Sequence, residues 1–187
     1  MNENTKIVMG IERLSTLFRA ALWDEAKHSE LSPLQVQILL FIASHAPMQN
    51  SVSTLAKEFA VTKATISDAV RVMLEKKILK KQSGDDARAF SLHLTASGNK
   101  QLQKLSVFID FFDGALTLIP ANERKKIWEG LLLLMGHLQK TGIIPLRMCL
   151  NCQHYGKHKG TAYCNLLKQP LQLEDIRLDC PEHKLVA

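Results

Sequence analysis

The sequence predicts a mainly α-helical fold that carries one small β-hairpin and ends in a small cysteine-rich module. Apolar residues recur at helical spacing through most of residues 5–142. Two short segments of alternating apolar and polar residues, joined by Gly84-Asp85-Asp86, lie between these helical patterns and predict the hairpin. All four cysteines follow residue 142. The chain has 187 residues, of which 46% are hydrophobic and 22% charged, as expected for a globular protein with a sizeable core.

The first two predicted helices precede residue 45. Residues 5–27 have an apolar stripe at helical spacing, formed by Ile7, Ile11, Leu14, Phe18, Ala21 and Leu22. A second helix is expected to begin after Ser32, whose side chain can cap it. Pro33 suits the first helical position, and Gln35 completes a capping box with Ser32. This helix runs to about Ser44 and is apolar on most sides, so we expect it to be buried.

The segment 51–95 has the pattern of a helix-turn-helix followed by a β-hairpin wing. A short helical pattern and a tight polar turn precede a longer amphipathic pattern from Thr62 to about Lys77. The longer helix places four apolar residues on one face: Ile66, Ala69, Val70 and Met73. Two alternating segments then complete the wing.

A second face of that helix carries polar and cationic side chains. Lys63, Ser67 and Arg71 recur every four residues, and Thr62 is a good N-cap. The partial positive charge of a helix N-terminus suits phosphate, and such side chains suit a helix in a DNA major groove. Residues 57–88 carry eight Lys or Arg against five Asp or Glu. A solvated helix face looks similar, but the order of two helices, turn and wing favours DNA binding.

Two further helices are expected beyond the wing. Thr95 caps a long helix that Pro120 ends, with apolar positions at Leu102, Leu105, Ile109 and Phe112. The last helix runs from about Asn122 to Gln139 and ends at Gly142. Its apolar residues 131–135 lie on several faces, which predicts contact with a second subunit. The alternative is a helix buried within one chain.

This order of elements, together with GDDARAFSLHLTASGNKQL, resembles the MarR family of bacterial winged-helix transcriptional regulators over roughly residues 5–142. The segment from Leu31 to Leu40 also resembles that family's second helix. The sequence LEKKILKK resembles the end of its recognition helix, although Lys77 stands where Gly is typical. Ala87 replaces one of the two wing arginines of many members, and Arg88 remains.

The resemblance implies a DNA-binding transcriptional regulator, most often a repressor, that is an obligate homodimer. The first helix and the last two would form the dimer platform. Two reading heads, each about residues 31–95, would lie roughly 34 Å apart on a pseudo-palindromic operator of double-stranded DNA. A small-molecule effector would bind between platform and reading heads. The expected groove contacts are Thr62, Lys63, Thr65, Ser67 and Arg71, with Arg88 in the adjacent minor groove.

The family pattern stops near Gly142, so we assign residues 1–142 to one domain and residues 143–187 to a cysteine-rich extension. Its cysteines have the spacing C-x2-C-x11-C-x15-C and are Cys149, Cys152, Cys164 and Cys180. In a cytoplasmic protein clustered cysteines indicate metal or redox chemistry before disulfides. We expect these residues to bind zinc, with an iron–sulfur cluster as the alternative and free or disulfide-switching thiols as a third case. His183 could support the site.

Other function classes have less support. The sequence has no Gly-rich phosphate or dinucleotide motif, no paired catalytic carboxylates and no nucleophile signature, so we do not expect an enzyme. One alternative is a redox or iron–sulfur protein of enzymatic type that uses the winged helix as a docking module. Another is a winged helix that binds a protein. No signal peptide is apparent, and no apolar run, residues 131–135 included, is long enough to span a membrane, so we expect a cytoplasmic location.

Overall fold

The mainly helical fold with a small antiparallel wing is confirmed by a computed structural model, which describes residues 1–83, 90–143 and 145–186. The α-helices of the described residues are α1 (Glu3–Ser29), α2 (Pro33–Ser44), α3 (Val52–Glu58), α4 (Lys63–Glu75), α5 (Ala96–Lys104), α6 (Ser106–Thr117) and α7 (Ala121–Leu138). The strands are β1 (Leu79–Ser83), β2 (Phe90–Leu94), β3 (Tyr155–His158), β4 (Thr161–Cys164) and β5 (Gln169–Pro170). Strands β1 and β2 pair with each other, and β3, β4 and β5 form a separate antiparallel sheet.

The helix starts follow the predicted caps. Ser32 and Gln35 form a capping box at α2, in which each side chain accepts the other residue's backbone N–H. Thr62 Oγ1 accepts the N–H of Thr65 at 3.1 Å and starts α4. Thr95 Oγ1 accepts the N–H of Gly98 at 3.0 Å and starts α5. Each cap satisfies an amide that the helix leaves without a partner.

The core of the reading head surrounds α2, which is buried on most sides as its apolar composition predicts. Ile66, Val70 and Met73 of α4 are buried in the same core, and Ala69 is half-buried against it. Leu79 and Leu92 bring the base of the wing into contact with this core. The buried stripe therefore fixes α4 so that its opposite face is turned to solvent.

The end of α4 explains why glycine is typical at position 77. Lys77 has a φ of +56°, in the left-handed region that favours glycine. The N–H of Ile78 donates to Met73 O and that of Lys77 to Leu74 O, both at 2.9 Å. These two bonds form a Schellman motif, and buried Ile78 packs beneath it. Lysine adopts here the conformation that the turn into β1 requires.

The single long helix predicted after Thr95 is wrong, because the chain forms α5 and α6 with a break at Leu105. Leu105 is fully buried, and its N–H is shared between Gln101 O at 3.2 Å and Leu102 O at 3.1 Å. Insertion of this side chain into the reading-head core tightens the last turn of α5. The helical periodicity continues across the break, so the sequence pattern could not locate it.

A large apolar surface is exposed on α1, α6 and α7. The first twenty residues of the chain are all exposed, although α1 carries an apolar stripe in which Leu14 is 63% exposed. The isolated chain exposes 12563 Å² for a mass of 21.0 kDa. A compact monomer of that mass would expose about 9,000 Å². The excess and the uncovered stripe indicate a surface that another molecule covers.

The extension packs against α7 through a small apolar core. This core contains Leu132 of α7 together with Met148, Leu171 and Ile176. Trp128 Nε1 donates to Leu173 O at 3.1 Å. Part of the apolar excess of α7 therefore contacts the extension, whereas Leu131 and Leu133 remain exposed. Among the described residues, no helix is both long and apolar enough to cross a membrane.

Candidate nucleic-acid interface and cysteine cluster

The predicted DNA-contacting residues of α4 share one exposed face at the start of that helix. Thr62, Lys63, Thr65, Ser67 and Arg71 are all exposed. Thr62 Oγ1 lies 2.8 Å from Thr65 Oγ1, so the two hydroxyls lie side by side at the helix N-terminus. Hydroxyls, a cation and the helix dipole converge there, which is the chemistry that suits a phosphate or a base edge.

Arg71 is held by acidic neighbours on its own helix. Its Nη1 donates to Glu75 Oε1 at 3.0 Å, and its Nη2 lies 3.8 Å from Asp68 Oδ1. The arginine side chain is 61% exposed, so this ion pair contributes little and exchanges readily for another anion. Arg71 can therefore turn to a phosphate, in competition with Glu75.

The wing adds cations that the sequence patterns did not single out. Lys80 and Lys81 are exposed on β1, and Lys81 Nζ lies 4.5 Å from the centre of the Phe90 ring on β2. The alternation of β1 could have indicated Lys80, which follows buried Leu79 and so points to the opposite face, but not Lys81, which lies on the same face as Leu79. Arg88, the predicted minor-groove residue, lies outside the described residues, as do Ala87 and the turn Gly84-Asp85-Asp86.

The four cysteines of the extension converge on one cavity of about 80 Å³, which all of them line. Cys149 and Cys152 belong to one tight turn, in which the N–H of Cys152 donates to Cys149 O at 3.0 Å. Cys164 is the last residue of β4. Cys180 begins a second turn, in which the N–H of His183 donates to Cys180 O at 3.1 Å. None of the four forms a disulfide. The folding of the extension thus gathers residues that are far apart in sequence.

The surroundings of Cys149 keep its thiol protonated. Burial raises the pKa of the Cys149 thiol, and negative charge on Cys180, Cys164 and Cys152 raises it further. A hydrogen bond from the Arg177 N–H to Cys149 Sγ at 3.3 Å opposes this rise. A nearby cation would favour the thiolate form.

The sulfur positions do not by themselves form a ligand set. Within residues 1–83, 90–143 and 145–186, no group of three or more His, Cys, Asp or Glu side chains has an arrangement that could hold a metal ion. His183 Nε2 lies 2.8 Å from Asn151 Oδ1, and this contact joins the two cysteine-bearing turns. Burial, with the positive charge of Arg147 next, lowers the pKa of His183.

An ion-pair network missed by the sequence patterns connects the extension with the reading head. Arg147 Nε donates to Asp179 Oδ1 at 2.5 Å, and Nη2 donates to Asp179 Oδ2 and to Glu58 Oε2, each at 3.0 Å. Asp179 also pairs with His45 Nε2. The hydrogen bond to Asp179 raises the pKa of the Arg147 guanidinium, so it stays charged. Local patterns carry no signal for such long-range pairs.

A protein-family model matches most of the reading head. Residues 29–89 match the model of the MarR family. A search of curated proteins gives no match.

Solved structures share the fold at low sequence identity. The DNA complex of MepR from Staphylococcus aureus is 18% identical, with a TM-score of 0.58 over 74% of this chain and 99% of that chain. A MarR transcriptional regulator from Methanosarcina mazei is 15% identical, with a TM-score of 0.58 over 73% and 99%. The transcriptional regulator Tm0710 from Thermotoga maritima is 18% identical, with a TM-score of 0.52 over 73% and 96%. These similarities establish the fold.

Proposed function

We propose that the chain is a MarR-type, sequence-specific regulator of transcription that binds double-stranded DNA as a homodimer in the cytoplasm. The observation that carries the proposal is the exposed, cationic and hydroxyl-bearing face of α4, fixed by its buried stripe on the reading head. The similar fold of MepR in complex with DNA supports it. Occlusion of a promoter would make the protein a repressor, and a small-molecule effector is the further expectation from the family.

In this proposal α4 enters the major groove with its N-terminus towards the DNA. Thr62 and Thr65 would donate their hydroxyls to phosphate, and Lys63 and Ser67 would reach the groove beside them. Arg71 would exchange Glu75 for a phosphate. Lys80 and Lys81 would approach the backbone along the wing, and Arg88 would lie in the minor groove. Each phosphate contact releases counterions and makes binding sensitive to salt.

The homodimer is supported by the exposed apolar surface on α1, α6 and α7. Obligate homodimers bury roughly 2,000–5,000 Å² or more counted over both partners, so the excess of about 3,500 Å² on one chain is more than one protomer's share of such an interface. Phe18 of α1 and Phe112 of α6 lie with ring centroids 5.4 Å apart, so both helices contribute to one surface. Two copies joined there would present two α4 helices to one operator.

The DNA-binding surface is tested by replacing Lys63 and Arg88 with alanine together. The variant should bind its duplex more weakly, and the slope of log K against log salt should fall by about 2, because about one counterion release is lost per cation. Fluorescence anisotropy at several salt concentrations measures both. Lys157→Ala on the extension is the control and should change neither. Unchanged binding by the double variant would contradict this docking mode.

For the extension, we propose that Cys149, Cys152, Cys164 and Cys180 bind a thiophilic metal. Zinc is the first choice and an iron–sulfur cluster the alternative. Convergence on one cavity and the Arg177 N–H directed at Cys149 Sγ support this.

Metal analysis with an absorption spectrum of anaerobically purified protein tests the metal proposal. A colourless protein with about one zinc ion per chain supports zinc, and a brown one supports the cluster. Cys152→Ser should lower the metal content and increase protease cleavage within residues 143–187 before cleavage elsewhere. A Cys152→Ser protein that retained its metal and its full protease resistance would contradict the four-cysteine site.

A further inference from the structure

We propose that the extension braces the reading head against α7 and thereby fixes the spacing of the two DNA half-sites that the homodimer accepts. Four side chains, here called the clamp, fasten the extension to the reading head: Arg147, Asp179, Glu58 and His45. This inference rests on the proposed binding of DNA by a homodimer, and it identifies a determinant of the operators that such a homodimer can bind.

One side of the extension is fixed to α7 by apolar packing and by a hydrogen bond. Leu132 of α7 is buried in one core with Met148 of the extension. Trp128, one turn earlier on α7, donates its indole N–H to Leu173 O at 3.1 Å. The two neighbours of Leu132 in the sequence are exposed leucines of the proposed dimer surface. The extension therefore packs on the turn of α7 that also contributes to that surface.

The clamp fixes another side of the extension to the reading head. Arg147 Nε donates to Asp179 Oδ1 at 2.5 Å, and Arg147 Nη2 donates to Asp179 Oδ2 and to Glu58 Oε2, each at 3.0 Å. Asp179 also pairs with His45 Nε2. The side chains of Arg147, Glu58 and Asp179 are only 17%, 19% and 25% exposed, so these charges are screened less than those of a surface pair. Removing one partner leaves the others shielded and unpaired, which is costly.

Very little chain separates these two attachments of the extension. Met148, which is fully buried in the core against α7, directly follows Arg147 in the sequence. Arg147 and Asp179 form a parallel β-bridge, and the N–H of Cys180 donates to Arg147 O at 2.9 Å. A residue that contacts α7 and a residue that contacts the reading head are therefore neighbours in one hydrogen-bonded unit.

On the reading head, the clamp holds the ends of the two helices that pack against α4. Glu58 is the last residue of α3 and is separated from Thr62, the N-cap of α4, by one short turn. His45 is the C-cap of α2, and its ring stacks on Phe41 with centroids 3.5 Å apart. Phe41 in turn contacts the ring of Phe59 edge-on, with centroids 5.9 Å apart. Through these contacts the extension fixes the position of α4 relative to α7.

In a homodimer, the position of each α4 relative to α7 sets the distance between the two α4 helices. Inserting one base pair between two half-sites separates them by about 3.4 Å more and rotates one against the other by about 35°, since about ten base pairs make one turn of DNA. The chain's own route from the reading head to α7 runs through α5 and α6, which are separated by the break at Leu105. The extension adds a direct connection and so resists the displacement of the reading head that a changed spacing requires.

The test measures the Kd of the full-length protein for an inverted repeat obtained by in vitro selection and for the same duplex with one base pair inserted between the half-sites. The wild-type protein should bind the second duplex at least about tenfold more weakly, a typical penalty for one defect in a binding site. Arg147→Met and Glu58→Ala should each lower the ratio of the two Kd values by at least about fivefold, the lower end of typical coupling between two sites. Both duplexes meet the same α4 surface, so a direct effect of the lost charge on DNA affinity cancels in this ratio.

Arg177→Met and Glu174→Ala are the matched controls, since each removes an exposed charge of the same sign from the extension, and both should keep the wild-type ratio. Glu58→Ala keeps the test valid if Arg147→Met does not fold, because it leaves the extension unchanged. A wild-type ratio in a folded Glu58→Ala protein would overturn the brace. Equal binding of both duplexes by the wild-type dimer would overturn the brace alone, whereas binding to no duplex, or to a single half-site as a monomer, would overturn the proposed function and the brace with it.

Discussion

Replacing Gly98 with alanine should destabilise the junction between the wing and α5. A Cβ at this position would lie 2.3 Å from Ile78 O, and real Cβ contacts are essentially never shorter than 3.0 Å. The obstacle is a backbone carbonyl, which accepts the N–H of Thr95 at 3.1 Å and is held in place by it, while the Thr95 hydroxyl donates to the neighbouring Lys77 O at 2.5 Å. Either α5 or the start of β1 must therefore move.

The expected size follows from three contributions. Overpacking costs about 1–3 kcal/mol, and weakening the bonds of Thr95 costs about 1 kcal/mol. Replacing a helical glycine with alanine stabilises the helix by up to about 1 kcal/mol and offsets part of this loss. The net loss in free energy of unfolding is about 1–4 kcal/mol, measured by urea denaturation followed by circular dichroism at one fixed protein concentration.

Gly136→Ala is the matched control for this substitution. A Cβ there would meet only Leu150 Cδ1 at 3.8 Å, which is an ordinary contact. The free energy of unfolding should therefore rise by about 0.5–1 kcal/mol, because alanine favours the helix more than glycine does. If Gly98→Ala were as stable as Gly136→Ala, the close approach of α5 to the Ile78 carbonyl would be refuted.

Two further predictions concern the DNA surface and the dimer. Glu75→Gln releases Arg71 and removes a negative charge near the phosphates, so anisotropy should show roughly two- to fivefold tighter duplex binding and a steeper salt dependence. Equal binding would mean that Arg71 takes no part in the contact. Leu14→Glu places a charge in the exposed apolar stripe of α1 and should shift the sedimentation-equilibrium mass towards the monomer. A dimer unchanged at micromolar concentration would place the interface elsewhere.

The parts of the fold predicted from sequence are those fixed by neighbouring residues. The capping box of Ser32 and Gln35 and the N-cap of Thr62 each act over three positions. The stripe of Ile66, Val70 and Met73 follows from helical periodicity alone. Since the opposite face of α4 must then be exposed, the position of the candidate DNA-contacting residues could be predicted too.

The missed features depend on tertiary contacts. The break at Leu105 arises where that side chain enters the reading-head core, and nothing in its neighbours marks it. The Arg147–Glu58 pair joins residues 89 apart. The three-stranded sheet of the extension went unpredicted because its strands are short. The turn between β3 and β4 has a positive φ at both Lys159 and Gly160, and a lysine gives no sequence signal for that conformation. The predicted domain boundary near residue 142 stays a prediction.

In vitro selection from a random duplex library by the full-length protein tests the central claim most directly. A homodimer with two α4 helices predicts enrichment of one inverted repeat whose half-sites lie about one helical turn, roughly 34 Å, apart. Lys63→Ala should weaken binding to the selected sequence, and Lys157→Ala should not. Recovery of duplexes with no common sequence, or of a single half-site bound by a monomer, would contradict sequence-specific recognition by a dimeric winged helix.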